Sequence, residues 1–143
     1  MTIFQVRPII FLSLFVMMYF TVGYKEEIKY PSESEVTIAF FDAVYNQKDL
    51  NRVLSLSSKS FAQEIKKYKT LNNFSRRALS LSFDSVTMET QKSNTKVIDE
   101  FNVQVVIKVM LTGLRNERIY KEVRKVQLIK NNNTWLVDKL LKN

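Results

Sequence analysis

Residues 97–112 read VIDEFNVQVVIKVMLT, and the alternation within them decides the fold. Phe101, Val103, Val105, Ile107, Val109 and Leu111 fall on one face of an extended chain, with Glu100, Asn102, Gln104 and Lys108 on the other. Successive side chains of a strand point to opposite faces, so this pattern predicts a long central strand with a core on one side. Upstream, Leu79, Leu81 and Phe83 alternate, and then Val86 and Met88 alternate in the opposite phase. That change of phase predicts one strand bent by a bulge near Asp84. Downstream, residues 112–120 (TGLRNERIY) supply a turn, and residues 119–130 (IYKEVRKVQLIK) a third strand. Its inward set is expected to shift from Ile119 and Val123 to Val126 and Leu128. The asparagines of NNNT (131–134) tolerate left-handed backbone and lead into a last strand, on which Trp135 and Val137 alternate.

The residues before the first strand carry a helical period. Ser32 and Glu35 have capping-box spacing, which predicts a helix from about Glu33 to Gln47. On it Val36, Phe40, Ala43 and Val44 form one apolar stripe, and Ile38, Phe41 and Tyr45 another nearly opposite. A helix apolar over most of its circumference is covered on two sides, here by a sheet and by other helices. Asp49 caps a second short helix reaching Leu56. Ser60 and Gln63 repeat the capping spacing for a third, with Phe61, Ile65 and Tyr68 on its apolar face. The expected fold class is therefore α+β, with an N-terminal transmembrane helix and then three helices packed on a curved antiparallel four-stranded sheet.

The chain of 143 residues is 45% apolar and has two Gly and two Pro, which excludes collagen-like, disordered and low-complexity classes. It contains no Cys and no His. Disulfides, thiolate nucleophiles and cysteine-based metal sites are thereby excluded, along with the commonest general base at neutral pH. Asp99 and Glu100 are adjacent on a strand, so their side chains diverge and do not make a catalytic carboxylate pair. The serines of SLSSKS (55–60) have no His partner and read as helix caps. No catalytic, cofactor-binding or metal-binding residue is assigned, and the chain is not expected to be an enzyme. The net charge is +8, with basic residues grouped at 59–77 and 115–130. Neither group interleaves aromatics as a base-stacking platform does, so nucleic acid is not an expected partner.

Residues Ile9–Tyr24 carry no charge, a helix of about 24 Å. Ile3, Phe4 and Val6 extend its apolar character, and Arg7 can snorkel to the interface. Residues 1–24 are therefore expected to be a transmembrane anchor or a signal peptide, with 25–31 a linker interrupted by Pro31 and 32–143 the folded domain. A cut near Thr21–Gly23 would leave a secreted protein, and a buried core helix is a third reading. Lys25 and Lys29 outnumber Arg7, which opposes export under the positive-inside rule. A short head before one apolar segment is nevertheless the form of an export signal. The expectation is a single-pass inner-membrane protein with its domain facing the periplasm or exterior.

Helices first, then bent antiparallel strands, with VTIAFFDAVYNQKDLNRVLSLSSKSF (36–61) and the closing VQLIKNNNTWLVDKL (126–140), resemble the NTF2-like superfamily, an α+β cone. The likeness spans residues 32–141. It implies a cavity between sheet and helices, with Phe41, Tyr45, Phe101 and Trp135 as lining residues. An exported domain of this kind behind one membrane helix also resembles the VirB8-type components of bacterial secretion machines and the Mce-associated membrane proteins. The resemblance implies a non-catalytic protein-interaction or scaffold module of the bacterial envelope; the alternative is a small-molecule binding or carrier domain using the cone cavity. The expected partners are the membrane through residues 9–24, other envelope proteins, a small apolar ligand and a second copy of the chain as a homodimer.

Overall fold

The structure, a computed structural model, describes residues 27–97 and 103–142. Helices come first: α1 (Glu33–Asp42), continued by a π-helical turn (Ala43–Gln47), then α2 (Leu50–Ser55), α3 (Lys59–Lys67) and α4 (Leu71–Arg77). The strands follow as β1 (Ser85–Val97), β2 (Val103–Arg115), β3 (Arg118–Asn131) and β4 (Thr134–Leu141). They pair antiparallel in chain order, so the fold is α+β, with helices on one face of a four-stranded meander. The apolar segment 9–24 and Phe101 lie outside the described residues. Among the described residues, no helix is long and apolar enough to cross a membrane.

Each helix begins where a side chain satisfies an amide that the first turn leaves without a partner, a contribution of about 1 kcal/mol apiece. Ser32 Oγ accepts from the Glu35 amide at 3.3 Å, and Glu35 Oε2 accepts from the Ser32 amide at 2.7 Å, which closes the capping box. Asp49 caps α2 by accepting from the Arg52 amide. α3 starts earlier than its spacing suggests, because Ser58 and not Ser60 accepts from the Phe61 amide. A fourth helix, α4, was not expected. Thr70 caps it, and it is too short for its two apolar residues, Leu71 and Phe74, to show a period.

Phe40 is fully buried where the two layers meet. Its ring lies 5.4 Å from that of Phe41, 6.0 Å from that of Phe61 on α3 and 6.4 Å from that of Phe74 on α4. Beneath α1 the inner face of the sheet is built from Val105, Ile107, Val109 and Leu111 of β2 and Val126 and Leu128 of β3, all buried. Phe40 of one apolar stripe packs against the helices and Phe41 and Tyr45 of the other are buried, whereas Ile38, expected on that second stripe, is exposed.

Two strand expectations require correction. β1 begins at Ser85, so Leu79, Leu81 and Phe83 are not in the sheet. Their alternation reflects burial of an extended segment that packs its odd residues inward without a ladder. β3 does not change phase either. Its register with β2 is unbroken from Arg118 to Ile129, so the inward placement of Val126 and Leu128 forces Ile119 and Val123 outward. The register is fixed by a two-residue turn in which Asn116 and Glu117 both have positive φ, 51° and 64°.

Both edges of the sheet carry a local cover. At the β4 edge Ser57 bridges Val137: the Ser58 amide donates to Val137 O at 2.8 Å and the Val137 amide to Leu56 O at 2.9 Å. At the β1 edge the side chain of Asn46, in the π-helical turn, acts as a substitute peptide. Its Nδ2 donates to Val86 O at 3.0 Å, and its Oδ1 accepts from the Val86 amide at 3.0 Å. Asp42 Oδ1 accepts a second Nδ2 bond at 2.7 Å and orients the amide. Asn46→Ala leaves both Val86 groups without these partners and is expected to lower the unfolding free energy by about 1–3 kcal/mol. The check is the urea midpoint at unchanged slope, and an unchanged midpoint would contradict the role given to this side chain.

Candidate functional site

Four residues are expected at a cavity, and the structure brings two of them together. Phe41 and Tyr45 stack with ring centroids 6.4 Å apart and planes 6° from parallel, and both are buried. Phe83, from the segment before β1, packs against Tyr45 at 5.6 Å with its ring tilted by 58°. The rings fill the space over the inner face of the sheet. Trp135 is elsewhere, partly buried on β4 at the margin of the core, with Lys130 Nζ 5.6 Å from its ring centroid. Phe101 lies outside the described residues.

The Tyr45 phenol points at Leu81 O, 3.5 Å away. Burial pushes its pKa well above the ordinary value of 10, and the positive charge of Arg124 offsets only part of that shift. A phenol held neutral so firmly is a poor proton acceptor near neutral pH. Tyr45 borders a cleft of about 330 Å³ with Val44, Phe83, Lys48 and Asp84. Among the described residues, no group of three Asp or Glu side chains is placed to hold a metal ion. Glu33 is engaged structurally: Lys92 Nζ lies 2.8 Å from its carboxylate, and this hydrogen bond holds its pKa below the ordinary value.

The outer face of the sheet has a different character. Even positions of β2 and odd positions of β3 point away from the helices, so Met110 stands opposite Val123 and Leu114 opposite Ile119. These four side chains are 39%, 38%, 41% and 72% exposed. Each pair is apolar across the two strands, and the two pairs, with Thr112 opposite Lys121 between them, make an interrupted apolar strip. Lys108 and Lys125 face each other at the next paired position, and Lys121 lies between Ile119 and Val123 on the same face. Glu89 of β1 contributes the acid nearest Met110, its direct register partner. A shallow depression of about 210 Å³ there is bordered by Glu89, Gln91, Lys108 and Met110. Sequence reasoning missed this surface by assigning Ile119 and Val123 to the core. The signal available was the two-residue hairpin turn, which carries the phase of Val126 back to Tyr120.

No family model, curated protein or solved structure matches the chain.

One close approach keeps the inner face filled. A Cβ added to Gly113 of β2 would lie 2.3–2.7 Å from the ring atoms of Phe83. Gly113→Ala must displace that ring from the Tyr45 stack and is expected to cost about 1–3 kcal/mol. Pairing it with Phe83→Leu should recover part of the loss, as read from thermal melting. A Gly113→Ala protein as stable as the parent would contradict the packing described.

Proposed function

We propose that this chain is a membrane-anchored, exported domain of the NTF2-like kind, acting as a non-catalytic protein-interaction module of a bacterial envelope. The outer face of its sheet is the contact surface. The single observation that carries the reading is the pair of apolar contacts Met110–Val123 and Leu114–Ile119, exposed in register on a face with Lys121 between them and Lys108 and Lys125 beside them. Water is released when such a strip is covered, at roughly 25 cal/mol per Å² of apolar area.

The occupant this face favours is a protein whose apolar patch is bordered by acidic side chains. Lys108, Lys121 and Lys125 outnumber the acids Glu89 and Asp138 that the described residues place on this face, so a second copy docked face to face would set lysines largely against lysines. The helix-first order and the meander packed on α1 support the NTF2-like part of the proposal. The uncharged residues 9–24 support the anchor.

The test is a photo-crosslinking residue placed at Leu114 in the full chain, activated in intact cells. One defined protein product is expected, from a partner with an acidic border around its contact patch. The product should disappear when Lys121→Glu and Lys125→Glu are introduced together and persist with Lys67→Glu on α3. A product joining two copies of the chain, a product with lipid alone, or no product at all would overturn the proposal.

A further inference from the structure

A second concavity lies away from the outer sheet face and away from the Phe41–Tyr45 stack. It opens between α3, α4, the middle of β3 and the C-terminal end of β4, with a volume of about 540 Å³, within the range of small-molecule sites. Phe41, Tyr45 and Trp135 do not line it. Its floor is apolar: Phe61, Phe74 and Leu79 are buried, and Tyr68 meets Phe74 edge to face at 5.5 Å. Its walls are cationic, since Arg77, Arg124, Lys139 and Lys142 stand around it with Glu64 as the one carboxylate among the described lining residues.

The cations differ in how they are held. Arg124 Nη2 donates to Leu79 O at 3.0 Å and Nη1 to Val123 O at 2.9 Å, with Glu122 Oε2 at 3.4 Å, so this guanidinium is fixed at the back of the cleft. Arg77, Lys139 and Lys142 form no ion pair or side-chain hydrogen bond among the described residues. Between Leu79 and Leu81, Ser80 lines the cleft with a φ of 54°, a left-handed conformation that costs a residue with a Cβ and recurs where a backbone shapes a site.

Cations without partners, beside the held guanidinium of Arg124 and an apolar floor, complement one ligand chemistry. We infer that this cleft binds an anionic amphiphile, a small molecule with a carboxylate or phosphate head on an apolar tail. The head is met by Arg77, Lys139 and Arg124 through charge-assisted hydrogen bonds, and the tail lies on Phe61, Phe74 and Leu79. This site does not depend on the outer sheet face and would stand if that interaction surface failed.

The test uses the full chain in a neutral detergent, titrated with hexanoate, octanoate and decanoate and followed by the amide NMR signals of the protein. Affinity is expected to rise roughly tenfold for every two methylenes added and to fall at least tenfold when octanol replaces octanoate. Shifts are expected at Leu79, Ser80 and Leu140. The double variant Arg77→Glu, Lys139→Glu alters two side chains that hold no partner, so it should melt as the parent does yet bind octanoate at least tenfold more weakly. Detergent partitioning is the same for both proteins, so the difference between them reads the cleft. Leu114→Asp on the outer face should bind as the parent does. The inference is overturned by octanol binding as well as octanoate, by affinity independent of chain length, by inorganic phosphate binding as tightly, by an undiminished double variant, or by shifts confined to the outer face. Binding seen only with anionic phospholipid vesicles would assign these cations to a membrane surface and overturn it equally.

Discussion

The structure depends on a helix that must be buried on two sides. Phe40 and Phe41 are neighbours in sequence and therefore point about 100° apart around α1. Both are fully buried, and one helix cannot bury both against a single flat partner. The sheet covers one flank and α3 and α4 the other, through the rings of Phe61 and Phe74. That requirement orders the layers. It sets α1 across the inner face of the sheet, in contact with β1, β2 and β4, and it obliges the short helices to return over its back. The segment from Leu79 to Phe83 closes the remaining gap, which is why it is buried without being a strand.

With the inner face committed to α1, the outer face is what the molecule has left to present. The two edges and the outer face are treated differently. The β4 edge is bridged by Ser57, and the β1 edge is met at Val86 by the Asn46 side chain, so strand addition is impeded at those points. The face between those edges keeps an apolar strip with lysines beside it. A sheet guarded at its edges and apolar on its open face favours contact through the face. The cationic cleft is a separate consequence of the same layering, lying where α3, α4 and residues 78–80 meet Arg124 of β3 and the end of β4.

Much of the scaffold was legible in the sequence, for reasons that also explain the misses. Ser32 with Glu35, Asp49, and the alternation from Val103 to Leu111 report local physics, capping and pleat, and each stands in the structure where the sequence put it. Leu79, Leu81 and Phe83 were legible as buried but not as unpaired, because alternation records which side chains turn inward and not where the backbone hydrogen bonds go. Ile119 and Val123 were misplaced because an apolar residue on a strand was taken as an inward one. The outer strip makes that assumption fail, because these apolar strand residues turn toward solvent. The cleft was not legible at all: Arg77, Arg124 and Lys139 are far apart in the chain and come to one cleft only in the folded structure.

The central claim is that the outer sheet face is covered in the cell and bare when the protein is alone. Because the chain has no cysteine, Ile119→Cys supplies a single reporter there, and Lys67→Cys on α3 supplies a control on the opposite side. Treatment with a membrane-permeant maleimide, in intact cells and on purified full chain, compares the two positions. The account predicts that Ile119→Cys reacts several-fold more slowly in cells than when purified, whereas Lys67→Cys reacts alike in both. Equal reactivity of Ile119→Cys in the two settings would contradict it.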